Sequence, residues 1–170
     1  MKRVTYYPQV VLGVAFGWAV FFAEAALDIP SPNSDIIRRK ESWALFGANI
    51  LWTIAYDTIY AHQDVADDEA AGVKGMALVF RDTTKILASG LAAGQVILLV
   101  LCGIWGGFGG WVYYVGTVGG VAGAMGWFIW DVDLKVPESC GDWFRKQFWV
   151  VGGAYASGFV GEYVARVVSI

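Results

Sequence analysis

The sequence predicts an all-α fold, a multi-pass transmembrane helical bundle with about five spans. Hydrophobic residues make up 57% of the 170 residues and charged residues only 16%. The mean hydropathy is +0.53, which is typical of a membrane protein. Five apolar runs have about the 20 residues that a helix needs to cross the hydrocarbon core. A soluble protein built from such helices would have almost no polar surface, which favours the membrane. The predicted spans are 8–27, 42–61, 86–106, 111–130 and 148–165.

The first span begins with an interfacial segment, in which Lys2 and Arg3 lie in water and Pro8 starts the helix. We expect no cleaved signal peptide, because acidic residues stand where a small-residue cleavage site would be. Glu24, near the end of this span, is either functional or a carboxylate at the membrane boundary, and its position favours the boundary. The loop 28–41 is predicted to be a polar connector.

Spans three and four are rich in glycine at small-x-x-x-small spacing, which allows close packing of helices in lipid. A phosphate-binding loop is disfavoured, because the glycines lack a neighbouring strand and a Lys or Ser/Thr in the required order. Aromatic residues near the span ends fit an interfacial belt, and some could instead line a pocket for a cation or a polyene chain. The glycine pairs are Gly103/Gly107, Gly106/Gly110, Gly116/Gly120 and Gly119/Gly123.

Two pairs of charged residues follow in the last third of the chain. Asp131 and Asp133 could join a metal site, but their i, i+2 spacing favours solvated loop charges. Glu162 and Arg166 are spaced i, i+4, which predicts a structural ion pair.

The distribution of basic residues predicts the orientation of the bundle. With five crossings, eight Lys and Arg residues fall on the side of the loop after span two, against four on the other side. This excess places that loop on the cytosolic or matrix face, although Arg38-Arg39-Lys40 argues against it. Cys102 and Cys140 give neither a disulfide framework nor a metal-ligand spacing.

The loop after span two concentrates carboxylates. If the helix continues through this loop, Asp57, Asp64 and Asp68 fall at i, i+7 and i+11 and share one face. Aligned carboxylates repel one another unless a divalent cation lies between them. A solvated juxtamembrane loop is the alternative interpretation. An EF-hand is excluded because Glu69 stands where that loop needs glycine, and His62 lies on the opposite helix face, which disfavours a transition-metal site.

Carboxylates without histidine or cysteine suit Mg²⁺, which keeps several waters unless the phosphates of a substrate replace them. A diphosphate is therefore the natural ligand, and Lys74 and Arg81 could bind its remaining charge. Because the site lies at the mouth of an apolar helical bundle, the hydrophobic tail of the diphosphate would lie among the helices. The sequence thus indicates an isoprenoid diphosphate.

The stretch from Tyr56 to Asp68, Tyr-Asp-Thr-Ile-Tyr-Ala-His-Gln-Asp-x-x-Asp-Asp, followed by Ala71-Gly72-Val73-Lys74, resembles a known motif. It is similar to the second aspartate-rich motif of the UbiA superfamily of intramembrane aromatic prenyltransferases, of the 4-hydroxybenzoate polyprenyltransferase type. The resemblance implies Mg²⁺-dependent transfer of a prenyl group, such as farnesyl, from its diphosphate to an aromatic or polyketide-derived phenolic acceptor. The fungal branch that makes meroterpenoids is the finer match. Membrane lipid is the expected surrounding, and no nucleic acid is expected as a partner.

By the same resemblance, the aspartates are the catalytic and metal-binding residues. Asp64 and Asp68 are expected to hold Mg²⁺, with Asp67 and Asp57 supporting them. Three further residues are expected to bind the diphosphate: Lys74, Arg81 and Tyr60.

The sequence departs from the family in two ways. The family has a first aspartate motif, Asn-Asp-x-x-Asp-x-x-x-Asp, which is absent from these 170 residues, and the chain resembles only the C-terminal half of a member. The family's Lys-Ser-Thr-Ala-Leu becomes Lys74-Gly75-Met76-Ala77-Leu78, which lacks two hydroxyls. The alternative to an enzyme is therefore a non-catalytic membrane fragment, or a half that depends on a partner for the first motif.

Overall fold

The computed structural model describes residues 4–27, 39–107 and 109–168, and these residues contain no strand. The predictions that concern Lys2, Arg3 and most of the loop 28–41 lie outside the described residues. The α-helices are α1 Pro8–Gly17, α2 Ala19–Ala26, α3 Lys40–Tyr60, α4 Val65–Ala70, α5 Met76–Phe80, α6 Thr84–Gly106, α7 Trp111–Tyr113, α8 Gly120–Asp131 and α9 Pro137–Val168.

The bundle is organised around α3, which packs against α1 on one side and α6 on the other and also contacts α9. Small residues on α3 make this close packing possible, since Ala44, Ala48 and Ala55 are all buried. The helix α8 packs between α6 and α9. The all-α prediction is confirmed.

Three stretches among the described residues are long and apolar enough to cross a membrane: Pro8–Ala26, Met76–Gly106 and Trp111–Asp131. They coincide with the first, third and fourth predicted spans. The helices α3 and α9 cover the second and fifth predicted spans, but they are less apolar than the helices of the other three. The membrane assignment therefore stands on three helices, and the number of five spans stays a prediction.

Buried polar side chains cross-link the bundle, as expected where water is scarce. The Tyr113 hydroxyl donates to the Leu99 carbonyl at 2.7 Å. Trp52 Nε1 donates to Gln147 Oε1 at 2.9 Å, which connects α3 with α9. The first bond connects α7 with α6, and the second connects α3 with α9.

The predicted glycine packing is confirmed at Gly116 and wrong at Gly123. A Cβ on Gly116 would lie 2.8 Å from the Cα of Gly158 on α9, whereas a Cβ on Gly123 would meet nothing within 4 Å. Gly107 ends α6 with φ +63°, so its conformation rather than helix packing requires glycine there.

The fourth predicted span is interrupted by a π-helical turn over Tyr114–Gly119, between α7 and α8. The buried Thr117 hydroxyl in this turn lies 3.1 Å from the carbonyl of Tyr155 on α9. The predicted ion pair on α9 is confirmed, since Arg166 Nε lies 3.0 Å from Glu162 Oε1. Arg166 also donates to the carbonyl of Gly107, which fastens α9 to the end of α6.

Candidate active site

The helix that carries the carboxylates does not continue through them, and the predicted register of Asp57 with Asp64 and Asp68 is wrong. The helix α3 ends at Tyr60, a 3₁₀ turn covers Ala61–Asp64, and α4 starts at Val65. A 3₁₀ turn advances about 20° more per residue than an α-helix, so four residues rotate the following helix by about 80°. Asp57 therefore leaves the face it would share with the later carboxylates.

A side chain accompanies the break. Gln63 Nε2 donates to the carbonyl of Tyr60 at 3.1 Å, at the residue where α3 ends. Local side-chain bonds of this kind compete with the helix's own hydrogen bonds. Nothing in the sequence pattern between residues 57 and 68 marks this break, since the stretch has neither glycine nor proline.

The short helix α4 is closed by a Schellman motif that reverses the chain. Val73 N donates to the Asp68 carbonyl at 2.8 Å, and Gly72 N donates to the Glu69 carbonyl at 3.1 Å. Gly72 has φ +65°, a conformation that favours glycine. After the reversal, Arg81 lies beside the acidic segment, in contact with Glu69.

The segment after the reversal is connected to the start of the first span. The ammonium of Lys74 lies 5.1 Å from the centre of the Tyr6 ring, in cation–π geometry. The buried Gln9 accepts a hydrogen bond from the backbone N of Met76 at 3.5 Å. Tyr6 and Gln9, around the start of α1, therefore hold the segment that carries Lys74. Lys74 is one of the residues predicted to bind the diphosphate.

Arg81 folds back onto the acidic segment, where its guanidinium lies 2.6 Å from Glu69 Oε1. Both side chains are more than half exposed, and such pairs contribute about 0–1 kcal/mol. Arg81 also has φ +34°, a value that is unusual for any residue with a side chain. The ion pair of Arg81 with Glu69 is weak enough for a stronger anion to replace it.

The carboxylates of the acidic segment are at least partly exposed and do not converge on one point. Asp64 and Asp67 are exposed, and Asp57 and Asp68 are partly buried. Within the described ranges, no group of three or more His, Cys, Asp and Glu side chains could hold a metal ion. Among the residues that the structure describes, the carboxylates therefore do not form a closed metal cage.

His62 has a structural role in this arrangement. Its Nε2 lies 2.9 Å from the Thr84 hydroxyl, which connects the 3₁₀ turn to the start of α6. Burial lowers the pKa of His62, and nearby Asp82 opposes this shift. The prediction that His62 is not a metal ligand stays a prediction.

A seam of aromatic rings, which we did not predict as a unit, leads from the acidic segment along α3 and α9. The Tyr60 ring lies 4.7 Å from Phe144, and Phe144 lies 5.6 Å from Tyr56. Trp52, 5.8 Å from Tyr56, is stacked against both Phe148 and Tyr155. The recurrence of aromatic residues at helical spacing on α3, at positions 52, 56 and 60, is the signal that could have revealed it.

Comparison with known proteins gives a family match and close relatives. Residues 1–152 match the UbiA prenyltransferase family. The chain is 37% identical over 166 residues to a 4-hydroxybenzoate octaprenyltransferase of Pseudomonas aeruginosa, covering 98% of this chain and 53% of the relative. It is 41% identical over 153 residues to the mitochondrial 4-hydroxybenzoate polyprenyltransferase of Schizosaccharomyces pombe, covering 86% and 40%.

A third relative is 4-hydroxybenzoate geranyltransferase 1 of Lithospermum erythrorhizon, 39% identical over 152 residues, covering 88% of this chain and 46% of the relative. The chain therefore spans about half the length of the curated relatives it matches. No solved structure matches it.

Proposed function

Because the chain belongs to the UbiA prenyltransferase family, we propose that it transfers a prenyl group from a prenyl diphosphate to an aromatic acceptor. The observation that carries the proposal is the acidic segment at the end of α3, with Arg81 paired to its Glu69 and an aromatic seam leading away from it. Lys74 follows on the same loop, after the turn at Gly72. The charged residues would bind the diphosphate of the donor, and the aromatic seam would bind its hydrophobic prenyl chain.

We assign the carboxylates to metal binding. Asp64 and Asp68 would hold Mg²⁺, and Asp67 and Asp57 would support them. The donor set fits this hard cation, which typically takes one or two carboxylates and completes its shell with phosphate oxygens and water. Open, partly exposed carboxylates are compatible with such a site, since the substrate supplies the missing oxygens. When bound, Mg²⁺ would neutralise charge on the departing diphosphate.

Lys74 and Arg81 would bind the remaining phosphate oxygens. Their present partners, the Tyr6 ring and Glu69, are held by weak contacts. A diphosphate offers Arg81 a stronger, bidentate partner. Tyr60, which is 40% exposed at the same end of α3, would donate a hydrogen bond from its hydroxyl to the diphosphate.

In the reaction, the bond between the allylic carbon and the diphosphate oxygen breaks, and both electrons leave with the diphosphate. The aromatic carbon of the acceptor then forms the new carbon–carbon bond with its π electrons. A proton leaves that ring carbon, to water or to the released diphosphate, and aromaticity returns. The seam of Tyr60, Phe144, Tyr56 and Trp52 would line the path of the prenyl chain, exclude water and stabilise positive charge with its ring faces.

The acceptor and donor are proposed from the relatives. All three are named for 4-hydroxybenzoate, which makes that phenol the first acceptor to test, ahead of a polyketide-derived phenol of a meroterpenoid pathway. Their names range from geranyl to octaprenyl, so donor length needs a series that includes farnesyl diphosphate. We place the acidic segment on the cytosolic or matrix face.

The test is a prenyl-transfer assay in lipid nanodiscs with Mg²⁺, 4-hydroxybenzoate and geranyl, farnesyl or octaprenyl diphosphate. Asp64→Asn and Asp68→Asn should each lower the rate about 100-fold, a typical effect of removing one group that stabilises developing charge. The matched control is Asp142→Asn, because Asp142 is an acid on α9 that pairs with Arg145 at the surface. Equal losses in all three variants would contradict the assigned roles.

The alternative is a chain that is inactive until it meets a partner with the first aspartate motif. This is tested by assaying the chain alone and together with the separately expressed N-terminal half of the Pseudomonas relative. Activity in the mixture only would establish a partner-dependent half. No product in either case, beside an active full-length relative, would establish a non-catalytic fragment.

A further inference from the structure

An open apolar groove of about 860 Å³ lies between α6 and α8, away from the aromatic seam. Its α6 wall runs from Lys85 to Ile97, and its α8 wall runs from Ala122 to Trp130. Both walls belong to stretches that are long and apolar enough to cross a membrane. A groove between two such stretches lies at the depth of the acyl chains.

The length of the groove matches one leaflet of a bilayer. From Lys85 to Ile97 the helix rises about 18 Å at 1.5 Å per residue. Half of a hydrocarbon core of about 30 Å is about 15 Å. One acyl chain would therefore span the length of the groove while its headgroup reached the level of Lys85.

The mouth of the groove is polar and carries both signs of charge. Lys85 and Trp130 line the groove and also an adjoining polar cavity, whose other charged residues are Asp82, Asp131, Asp133 and Lys135. Lys85 Nζ donates to the Trp130 carbonyl at 3.0 Å, which leaves two of its three donors for a ligand. The Trp130 side chain is 86% exposed, as expected of an aromatic residue at the headgroup level.

We propose that this groove is a specific binding site for a zwitterionic phospholipid with a primary ammonium headgroup. Lys85 binds the lipid phosphate, the carboxylates at the mouth bind the ammonium, and one acyl chain lies along α6 and α8. The three carboxylates beside two lysines disfavour a purely anionic headgroup. They do not form a metal-binding group in the described part of the chain, which disfavours a metal diphosphate.

The headgroup, rather than the acyl chain, should decide which lipid the groove binds. An acyl chain gains no hydrophobic free energy on leaving other acyl chains, so the groove contributes shape alone. A hydrogen bond to a charged donor contributes enough for about tenfold in affinity or more. Lys85→Met, which keeps the apolar stem, should therefore lower the retention of this lipid by about tenfold.

The experiment reconstitutes the protein in bilayers of phosphatidylethanolamine, phosphatidylcholine and phosphatidylglycerol, then counts retained lipids by native mass spectrometry. Gly126→Leu should fill the groove, since a Cβ at Gly126 meets nothing within 4 Å. Gly153→Leu is the matched control, because Gly153 is an equally open glycine on α9 outside the groove. We expect one retained phosphatidylethanolamine in the parent and in Gly153→Leu, and none in Gly126→Leu.

Three outcomes would overturn the proposal. Equal retention in both glycine variants would show that the lipid lies elsewhere. Displacement of the lipid by farnesyl diphosphate in the parent would assign the groove to the prenyl donor. A dimer that Gly126→Leu converts to a monomer would assign the groove to a second copy of the chain. None of these outcomes depends on prenyl transfer.

Discussion

Replacing Gly116 with alanine should destabilise the bundle, whereas the same change at Gly123 should not. The new Cβ at Gly116 would lie 2.8 Å from the Cα of Gly158, while carbon atoms prefer about 3.5–4.0 Å. Because the obstacle is backbone, α9 must move away from the π-helical turn. Overpacking of this kind costs about 1–3 kcal/mol. At Gly123, where the Cβ meets nothing, only the better helix propensity of alanine remains, about 1 kcal/mol in favour.

Both variants gain the same helix propensity. The difference between their free energies of unfolding therefore measures the cost of the new contact between the Cβ at position 116 and Gly158. A difference of 1–3 kcal/mol corresponds to about 2–12 °C in Tm for a chain of this size. Thermal unfolding in detergent, followed by tryptophan fluorescence, measures it directly. Equal Tm values for the two variants would refute the packing of the π-helical turn against α9, and with it the placement of α9.

Three further predictions concern single side chains. His62→Gln should flatten the decline in Tm below pH 6.5, the ordinary pKa of histidine, because the unfolded imidazole takes up a proton there that the folded one resists. In a Cys102→Ala background, Cys140 should react with maleimide about 100-fold more slowly in the folded than in the unfolded chain, since burial raises its pKa to about 11. Arg166→Leu should lower the stability by about 1–3 kcal/mol by leaving the buried Glu162 unpaired, and the additional change Glu162→Gln should restore it in the same thermal assay.

The sequence predicts the helices because their signal is local. Apolar length and the position of polar residues are sufficient to place α3 and α6 within two residues of their observed bounds. They do not reveal the breaks inside the first and fourth predicted spans, nor that α9 begins at Pro137 rather than near residue 148. Close approach between helices is not local, and this explains why identical glycine spacing gives opposite results. Gly116 lies in the π-helical turn, where it meets Gly158 of α9, whereas Gly123 lies on α8 and meets nothing. The sequence does not show where this turn occurs.

The acidic segment shows a second limit of the same kind. The residue types of the site follow from the motif, but the break after Tyr60 does not. Its visible contacts are hydrogen bonds of Gln63 to Tyr60 and of His62 to Thr84. The second of these reaches 22 residues along the chain, so a window of local sequence does not contain it.

The open arrangement of the carboxylates is consistent with a site that is completed by its ligand. The contacts that hold Lys74 and Arg81 are worth about 1 kcal/mol or less each, whereas charge-assisted hydrogen bonds to phosphate are about twice as strong as neutral ones. If the site binds a diphosphate as proposed, the bidentate phosphate oxygens would replace Glu69 at Arg81 and the Tyr6 ring at Lys74. For such a site, the order of residue types along the chain is more informative about function than the distances between them before the ligand arrives.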